Sequence, residues 1–265
     1  MMLRNDLTSV WMYALAVTVG KGRKVMPRGM ETRELMSQTY VIDMRRPVLT
    51  CPERKFSYRY MAAEAYWILS GDNRVETIAP YNPNISNYSD DGMIFFGAYG
   101  PKIVDQIPYV VAKLQEDPMS RQAGLTIWRE KPGTTKDVPC TVAMFFHIRD
   151  EKLHASVFMR SNDVWMGLPY DVFTFSMISH LICAHLNQEV GAGLIVPGEL
   201  HLTAASSHLY ATNFAAALDC STHGTNVAQP FTPADLYISP TMTLEYLKDL
   251  RETKPGDPLR WWETL

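Results

Sequence analysis

The sequence predicts a single α+β domain. A chain of 265 residues with 46% apolar residues is long enough to build one large unit with a sizeable core. Two apolar stretches of helical length, Tyr58–Leu69 and Asp171–Leu186, predict buried helices. Several short segments rich in β-branched and aromatic residues predict strands. The chain shows no internal repeat and no domain boundary, so residues 1–265 are interpreted as one domain.

The first hundred residues divide into four further segments. Leu7–Val19 has the pattern of an amphipathic helix. Gly20–Glu34 is rich in Gly, Arg, Lys and Pro, which predicts a mobile basic loop. Gln38–Met44 is predicted to be a strand because its centre favours extended structure. Residues 74–100 are rich in Pro, Asn, Ser, Asp and Gly, and long ordered loops of this kind are usually functional.

The middle of the chain predicts a helix followed by three strands. The helix is expected at Ile103–Gln115, and the strands at Gly124–Arg129, Thr141–Arg149 and Leu153–Met159. The turn residues Asp150-Glu151-Lys152 join the last two strands and are typical of a hairpin.

After the second buried helix, the pattern predicts a strand at Leu194–Thr203 and a helix at Ser207–Leu218. The tail beyond Gln229 is Pro-rich and weakly patterned, and it contains the aromatic pair Trp261-Trp262.

Charge and cysteine usage exclude several function classes. A net charge of −3 gives no long-range attraction to duplex nucleic acid, so a bound polyanion must be small. The cysteines are Cys51, Cys140, Cys183 and Cys220, and their spacing matches neither a zinc finger nor a redox pair. Residues 169–186 carry charged and His side chains, which favours a core helix over a membrane span. We therefore expect a cytoplasmic protein with free thiols, no metal and no membrane partner.

Six short motifs stand out by their order along the chain. They are the Glu64 helix, Tyr99-Gly100, Pro139-Cys140-Thr141, Arg160-Ser161-Asn162-Asp163, Gly167 with Tyr170-Asp171, and His208-Leu209-Tyr210. In this order and spacing, the chain resembles the thymidylate synthase superfamily. The resemblance implies a mixed sheet flanked by helices, with one sheet face forming a homodimer interface. It also implies a pyrimidine nucleoside monophosphate and 5,10-methylenetetrahydrofolate as ligands.

The resemblance makes Cys140 the nucleophile that attacks C6 of the pyrimidine. A lone cysteine in a strand is usually a small buried hydrophobe, so the motif set decides this assignment. A reactive thiolate needs a lowered pKa, and Arg160 is the expected cation near it. Glu64 is expected to move protons at the base and at C5; a surface glutamate is the alternative, but its neighbours are apolar.

The remaining site residues are implied by the resemblance alone. For the phosphate these are Arg28, Arg121, Arg160 and Ser161, with Arg121 reaching the partner subunit's site; Gln122 stands where a second arginine is usual. For the nucleoside they are Tyr99, Asn162, His208 and Tyr210, and for folate Asp163 and Gly167.

Asp171 points to cytosine as the base. The thymidylate synthases have asparagine at this position, whereas a carboxylate offers acceptors that suit the N4 amino group of cytosine. An acidic residue at a helix N-terminus also interacts well with the helix dipole, and both roles are compatible. With Thr141 after the nucleophile, the chain resembles deoxycytidylate hydroxymethylases of bacteriophages and cytidylate hydroxymethylases of nucleoside-antibiotic pathways.

Hydroxymethylation of dCMP or CMP is therefore the predicted reaction, in a bacterial or phage-infected cell. Methylation of dCMP and a reaction on dUMP stay open as alternatives, as does the choice of sugar. Residues 259–265 do not match the lid-forming tail of thymidylate synthases, and Asn87 and Tyr88 lie where folate-stacking tryptophans are usual. Three other classes fit less well: a binding protein without catalysis, a nucleic-acid-binding module, and a zinc deaminase, whose Cys-x-x-Cys is missing.

Overall fold

The protein is built around one six-stranded mixed sheet. The computed structural model describes residues 5–188 and 194–226. The strands are β1 (Arg23–Val25), β2 (Thr32–Asp43), β3 (Gly124–Thr126), β4 (Thr141–Arg149), β5 (Lys152–Asp163) and β6 (Val196–Tyr210). They lie in the order β1-β2-β6-β5-β4-β3. The central pair β5–β6 is parallel, and the four other pairs are antiparallel.

The helices pack around α5. They are α1 (Leu7–Lys21), α2 (Tyr58–Leu69), α3 (Val75–Ile78), α4 (Gly100–Glu116), α5 (Leu168–Leu186) and α6 (Phe214–His223). Helix α5 contacts α1, α2, α4 and the two central strands, so most of its length is buried. Its buried hydroxyls, Ser176 and Ser179, each donate to the carbonyl four residues earlier, which avoids an unpaired polar group. In the described ranges, no helix has both the length and the apolar character needed to cross a bilayer.

The two faces of the sheet differ in their surroundings. In β5, Leu153, Ala155 and Val157 are buried against the helices. Side chains alternate between faces along a strand, so Phe158 lies on the opposite face, where it is 46% exposed. Phe145 of β4 is 37% exposed. In the part of the chain that the structure describes, the helices therefore cover one face and leave aromatic surface on the other.

Several predicted elements are confirmed. The helix at Tyr58–Leu69 and the strand at Thr141–Arg149 have the predicted bounds. The hairpin between β4 and β5 turns at Asp150 and Glu151, whose φ angles are 50° and 59°, the conformation that a tight two-residue turn requires. The α+β class is also confirmed.

Two predictions are wrong. The segment Gly20–Glu34 is not one loop, because β1 and the start of β2 lie within it and pair with each other. Ser207–Leu218 is not one helix: Ser207–Tyr210 is the end of β6, and α6 begins only at Phe214. Pairing with β2 buries Ser207 and Leu209 and overrides their local helical pattern. The tail after Gln229, with Trp261-Trp262, lies outside the described residues.

Candidate active site

A cleft of about 710 Å³ opens beside Cys140, where β5 and β6 end. Every predicted site residue except Glu64 and Arg121 lines it. These residues are Arg28, Tyr99, Cys140, Arg160, Ser161, Asn162, Asp163, Gly167, Asp171, His208 and Tyr210. The parallel register of β5 and β6 explains much of this grouping, because it sets Ser161–Asp163 beside Ser206–His208.

A smaller cavity of about 180 Å³ adjoins the cleft and brings in Glu64. The two spaces share the lining residues Tyr88, Tyr99, Asp137 and Asp171. Glu64 of α2 and Asp171 of α5 therefore face one continuous space, although they are far apart in sequence.

Arg121 lies elsewhere. It is exposed and lines a separate surface depression with Lys113 and Glu116 near the end of α4. Within one chain it does not reach the cleft, so its predicted role in a partner's site stays a prediction.

Cys140 immediately precedes β4 and is held by Arg160. The backbone N–H of Arg160 donates to the Cys140 carbonyl at 2.8 Å. Its guanidinium donates from Nε to the Pro139 carbonyl at 2.9 Å and from Nη2 to the Val138 carbonyl at 2.8 Å. Arg160 thus fixes the backbone that carries the thiol and also places a positive charge near it.

The expectation of a lowered pKa for Cys140 is wrong. Burial is the largest influence and raises the pKa of the thiol; Asp171 and Asp137 raise it further. The positive charges of Arg160 and Arg28 lower the pKa of the thiol, but by less than burial raises it. In the free protein the thiol form is therefore favoured.

Tyr99 positions Thr141, the residue that follows Cys140. Its phenolic oxygen accepts from the Thr141 N–H and from the Thr141 hydroxyl, both at 3.1 Å. Thr141 is fully buried, so these bonds satisfy it without solvent. Tyr99 lies just before α4 and thereby ties that helix to β4.

Glu64 and Asp171 are two carboxyl groups with raised proton affinity. Glu64 is half-buried, and protein atoms surround its carboxyl group. This burial raises the pKa of the carboxyl group to about 7. The Tyr60 hydroxyl donates to Glu64 Oε1 at 2.5 Å, and this hydrogen bond lowers the pKa of Glu64 by less than burial raises it. Burial, and then the charge of Glu64, raise the pKa of Asp171 well above its usual range. Two such groups resist simultaneous ionisation.

Asn162 contacts Asp171 directly. Its Nδ2 donates to Asp171 Oδ2 at 2.8 Å and to Met159 Sδ at 3.3 Å. Asn162 is only 2% exposed, and its side-chain oxygen Oδ1 has no hydrogen-bond partner in residues 5–188 and 194–226.

The predicted phosphate and sugar residues form a second group in the cleft. Arg28 Nη2 donates to the Tyr210 hydroxyl at 3.2 Å. Ser161 Oγ and His208 Nδ1 lie 3.3 Å apart, and the rings of His208 and Tyr210 meet edge to face at 5.2 Å. Such a set of a guanidinium, hydroxyls and an imidazole can bind a phosphate and a sugar hydroxyl.

Asp163 and Gly167 shape the turn into α5. Asp163 Oδ1 accepts from the backbone N–H groups of Trp165 and Met166 at 2.8 and 2.9 Å. A Cβ on Gly167 would lie 3.2 Å from Asp171 Oδ2, so glycine permits the close approach of that carboxyl group. Both residues line the cleft, but the contacts found here belong to the turn.

Two acidic residues of the cleft, Glu34 and Asp137, were not predicted from the sequence. Glu34 of β2 accepts from the Ser206 hydroxyl at 2.5 Å, and Asp137 Oδ2 accepts from the Gly97 N–H at 2.7 Å. Tyr88 is 54% exposed and lines both cavities. No local pattern marks Glu34, because only the pairing of β2 with β6 sets it opposite His208.

A group of potential metal ligands lies at the other end of β5. One ligand atom each of His154, Glu199 and His201 falls within 4.8 Å of the others. The Glu199 N–H donates to His154 Nδ1 at 3.3 Å, so one ring nitrogen is already in use. The group takes no part in the cleft beside Cys140.

Comparison with known proteins agrees with this architecture. The sequence profile of the thymidylate synthase family matches residues 14–249. The deoxyuridylate hydroxymethyltransferase of Bacillus phage SP01 is 29% identical over 218 residues, 74% of this chain and 56% of that protein. The corresponding Pseudomonas phage M6 protein is 31% identical over 164 residues, 58% of this chain and 47% of that protein.

A thymidylate synthase of Buchnera aphidicola subsp. Baizongia pistaciae is 28% identical over 168 residues, 59% of this chain and 63% of that protein. The matches to these three relatives thus span less than two thirds of each relative's length. Since the family profile covers most of the sequence, this chain belongs to the thymidylate synthase family.

Proposed function

We propose that this protein transfers a one-carbon unit from 5,10-methylenetetrahydrofolate to C5 of a cytosine nucleoside monophosphate, dCMP or CMP, and releases the 5-hydroxymethyl product. Family membership supports the pyrimidine chemistry. The observation that carries the choice of cytosine is Asp171, which lines the cleft beside Cys140 and also faces the Glu64 cavity.

A second candidate is hydroxymethylation of dUMP. The names of the two phage relatives give deoxyuridylate as their substrate, which favours this candidate. Cytosine is instead favoured by Asp171, because a carboxyl group suits the N4 amino group of that base.

The raised pKa of Asp171 suits attack on cytosine. Once the Cys140 thiol has given its proton to water and the thiolate bonds to C6, the C5=C6 electron pair moves to C4–C5 and the C4=N3 pair moves to N3. A protonated Asp171 can give its proton to N3, which is a ring base. The resulting carboxylate then accepts from both N3–H and N4–H. In uracil the atom that would take this proton is the carbonyl oxygen O4, which is a much weaker base than N3 of cytosine.

Glu64 is placed to move protons at C5. Its pKa of about 7 lets it accept or donate a proton near neutral pH. Folate supplies a one-carbon unit at the oxidation level of formaldehyde. After C5 has bonded to that carbon, Glu64 takes the C5 proton, directly or through water, and passes it to the departing nitrogen of tetrahydrofolate. The C5–H electron pair would form the exocyclic methylene as the bond between the transferred carbon and that nitrogen breaks, and Glu64 is then free to accept another proton. Cys140 leaves C6 once the product is complete.

The cavity beside Glu64 favours water as the final nucleophile. Thr174 is 2% exposed and lines this cavity, and its hydroxyl has no partner in the described part of the chain. The lining of this cavity of about 180 Å³ includes the polar side chains of Thr174, Glu64 and Asp171, and these groups can hold ordered water. Addition of its oxygen to the exocyclic methylene, with its proton passing to Glu64, gives the hydroxymethyl group.

The same cavity has one wall that fits a flat heterocycle. Trp67, Ile85 and Phe95 form its apolar side, and Tyr88 lies at the boundary with the cleft. Aromatic and aliphatic walls of this kind are typical of cofactor pockets. We assign them to folate within this proposal.

Exchange of Asp171 for its amide tests the choice of base. Asp171→Asn keeps the shape but can neither donate the acidic proton nor accept from two donors at once. We expect kcat/KM for dCMP to fall by roughly 100-fold relative to dUMP. An unchanged ratio of the two substrates, in a protein with unaltered thermal stability, would contradict the assignment.

A further inference from the structure

Asp137 is a carboxyl group at the boundary between the cleft and the smaller cavity. It lines both spaces and lies shortly before Cys140 in the sequence. Its Oδ2 accepts from the Gly97 N–H at 2.7 Å. Among residues 5–188 and 194–226, no donor reaches its Oδ1, and burial raises the pKa of the carboxyl group. The chemistry proposed above does not use this acceptor, so it is available to a ligand.

The surrounding side chains do not supply the missing donor. Lys102 lowers the pKa of Asp137 by less than burial raises it. Its Nζ donates to a backbone carbonyl at 2.6 Å, and in the described ranges it forms no ion pair with Asp137. The Thr135 hydroxyl and the Lys136 N–H both donate to Asp90 instead. Asp137 is partly exposed, so a ligand in either space can reach it.

The aromatic wall and Asp137 together suit a pterin ring. Trp67 and Phe95 meet edge to face at 5.6 Å on the apolar side of the smaller cavity, which we assign to folate. A pterin presents two neighbouring donors on one edge, N3–H and the 2-amino group, and a carboxylate accepts from both. Oδ1 is free for the amino group, and Oδ2 keeps a second lone pair for N3–H. Of the carboxyl groups in this cavity, Glu64 and Asp171 serve C5 and the base, which leaves Asp137.

Asp163, the carboxyl group that the resemblance assigns to folate, is placed differently. It lines the cleft but not the smaller cavity. Its Oδ1 already accepts from the N–H groups of Trp165 and Met166 in the turn into α5. Asp137 is therefore better placed to meet a ring that lies against the aromatic wall.

We propose that Asp137 binds the pterin ring of the folate co-substrate and accepts from its 2-amino group through Oδ1. This inference rests on the folate part of the proposed function and deepens it. A Cβ on Gly97 would overlap the Asp137 carbonyl oxygen and lie 3.0 Å from Oδ2, so glycine permits the contact that holds the carboxyl group. The contact orients the ring at the boundary where the one-carbon unit passes to C5.

Binding of folate and of its 2-desamino analogue tests this contact. The analogue has hydrogen in place of the 2-amino group. Isothermal titration calorimetry, with dCMP and separately with dUMP present, gives the Kd of each ligand for wild type, Asp137→Asn and Asp163→Asn. Asp137→Asn keeps an acceptor for the Gly97 N–H but presents donors in place of Oδ1. We expect wild type to bind folate roughly 10-fold more tightly than the analogue, and Asp137→Asn to lose this preference, because one charge-assisted hydrogen bond is removed.

Asp90→Asn is the matched control. Asp90 holds the same loop through Thr135 and Lys136 but lines neither space. This variant should keep the wild-type preference for folate. Asp137→Ser is made alongside as a second replacement, and thermal melting identifies any variant that does not fold.

The results that would overturn the inference are distinguishable. If both ligands weaken by the same factor in the folded Asp137 variants, or do not weaken, the carboxyl group does not read the amino group. Loss of the preference in Asp163→Asn alone assigns that amino group to Asp163. A wild-type protein that binds folate no better than the analogue rejects this inference alone. A wild-type protein that binds neither ligand, with either nucleotide, rejects the folate part of the proposed function as well.

Discussion

Glu64 is a carboxyl group that the fold holds at a cost in stability. Burial raises its pKa from 4.5 to about 7, so the folded protein binds this proton more tightly than the unfolded chain does. The corresponding stability is fully present below pH 4.5 and is lost as pH rises through 7. In the proposed mechanism this pKa suits proton transfer near neutral pH, and the ionised form of Glu64 destabilises the fold.

This linkage predicts that Glu64→Gln gains stability relative to wild type as the pH rises. Relative to wild type, the free energy of unfolding of the variant should rise between pH 5 and pH 8, by up to about 3 kcal/mol. Urea denaturation at both pH values measures it. Activity should be lost over the same range, because glutamine carries no mobile proton.

Exposed Glu130 provides the control for this measurement. Glu130→Gln should change stability little, and by the same amount at both pH values. A difference for Glu64→Gln that does not vary with pH would contradict the raised pKa.

The sequence motifs predicted which residues lie together in the cleft better than they predicted the pKa values of those residues. The order of the motifs correctly predicted that Cys140, Arg160 and Asp171 would meet in one cleft. It could not predict the direction of the Cys140 pKa, because burial depends on the whole fold and outweighs the nearby Arg160. Nor could it reveal the unpaired oxygen of Asn162, which results from contacts with Met159 and Asp171.

Helices α2 and α4 meet at a glycine. A Cβ on Gly100 would lie 2.7 Å from the Asp72 carbonyl oxygen and 2.9 Å from that of Ile68, and both are backbone atoms. Gly100 follows Tyr99 directly, so the contact also sets the distance between the Glu64 helix and the phenol that positions Thr141. The geometry of the proposed active site thus depends on the close packing at Gly100.

Gly100→Ala should therefore destabilise the protein by about 1–3 kcal/mol, as overpacking of a tight contact usually does. Urea denaturation measures the change. Gly20→Ala is the matched control, because it lies in helix α1 with open space around it, and alanine there should be neutral or stabilise by up to about 1 kcal/mol. Equal effects of the two substitutions would rule out the steric role of Gly100.

Element predictions succeeded where the local pattern and the packing agree. Helix α2 and strand β4 have apolar patterns that match their surroundings, and both have the predicted bounds. Helix α5 begins at Leu168 and not at Asp171, since Pro169 is favourable in a first turn. The predicted helix over 207–218 failed because strand pairing with β2 extends β6 to Tyr210.

The exposed aromatic face of the sheet bears on the assembly of the whole molecule. Phe145 and Phe158 are 37% and 46% exposed on neighbouring strands, and Arg121 lies outside its own chain's cleft. A homodimer through this face, with Arg121 in the partner's site, is the arrangement predicted from the sequence. This arrangement would bring the distant Arg121 to the phosphate site of the partner.

Subunit mixing tests that arrangement. Arg121→Ala and Cys140→Ala proteins should each have little activity alone. After exchange of subunits, half of the dimers are mixed and each holds one intact site, so about a quarter of wild-type activity should return. Activity assays before and after mixing, with sedimentation to confirm the dimer, measure it. No recovery from proteins that do form mixed dimers would show that Arg121 does not act across the interface.

The most direct test of the proposed chemistry is the mass of the product. Purified protein is given 5,10-methylenetetrahydrofolate with dCMP, CMP or dUMP in separate reactions, and each nucleotide is then analysed by mass spectrometry. We predict that dCMP or CMP gains one CH₂O unit, and that the reaction requires Cys140, Glu64 and Asp171. A gain of CH₂ alone would contradict capture by water, and turnover of dUMP alone would contradict the role of Asp171 in selecting cytosine.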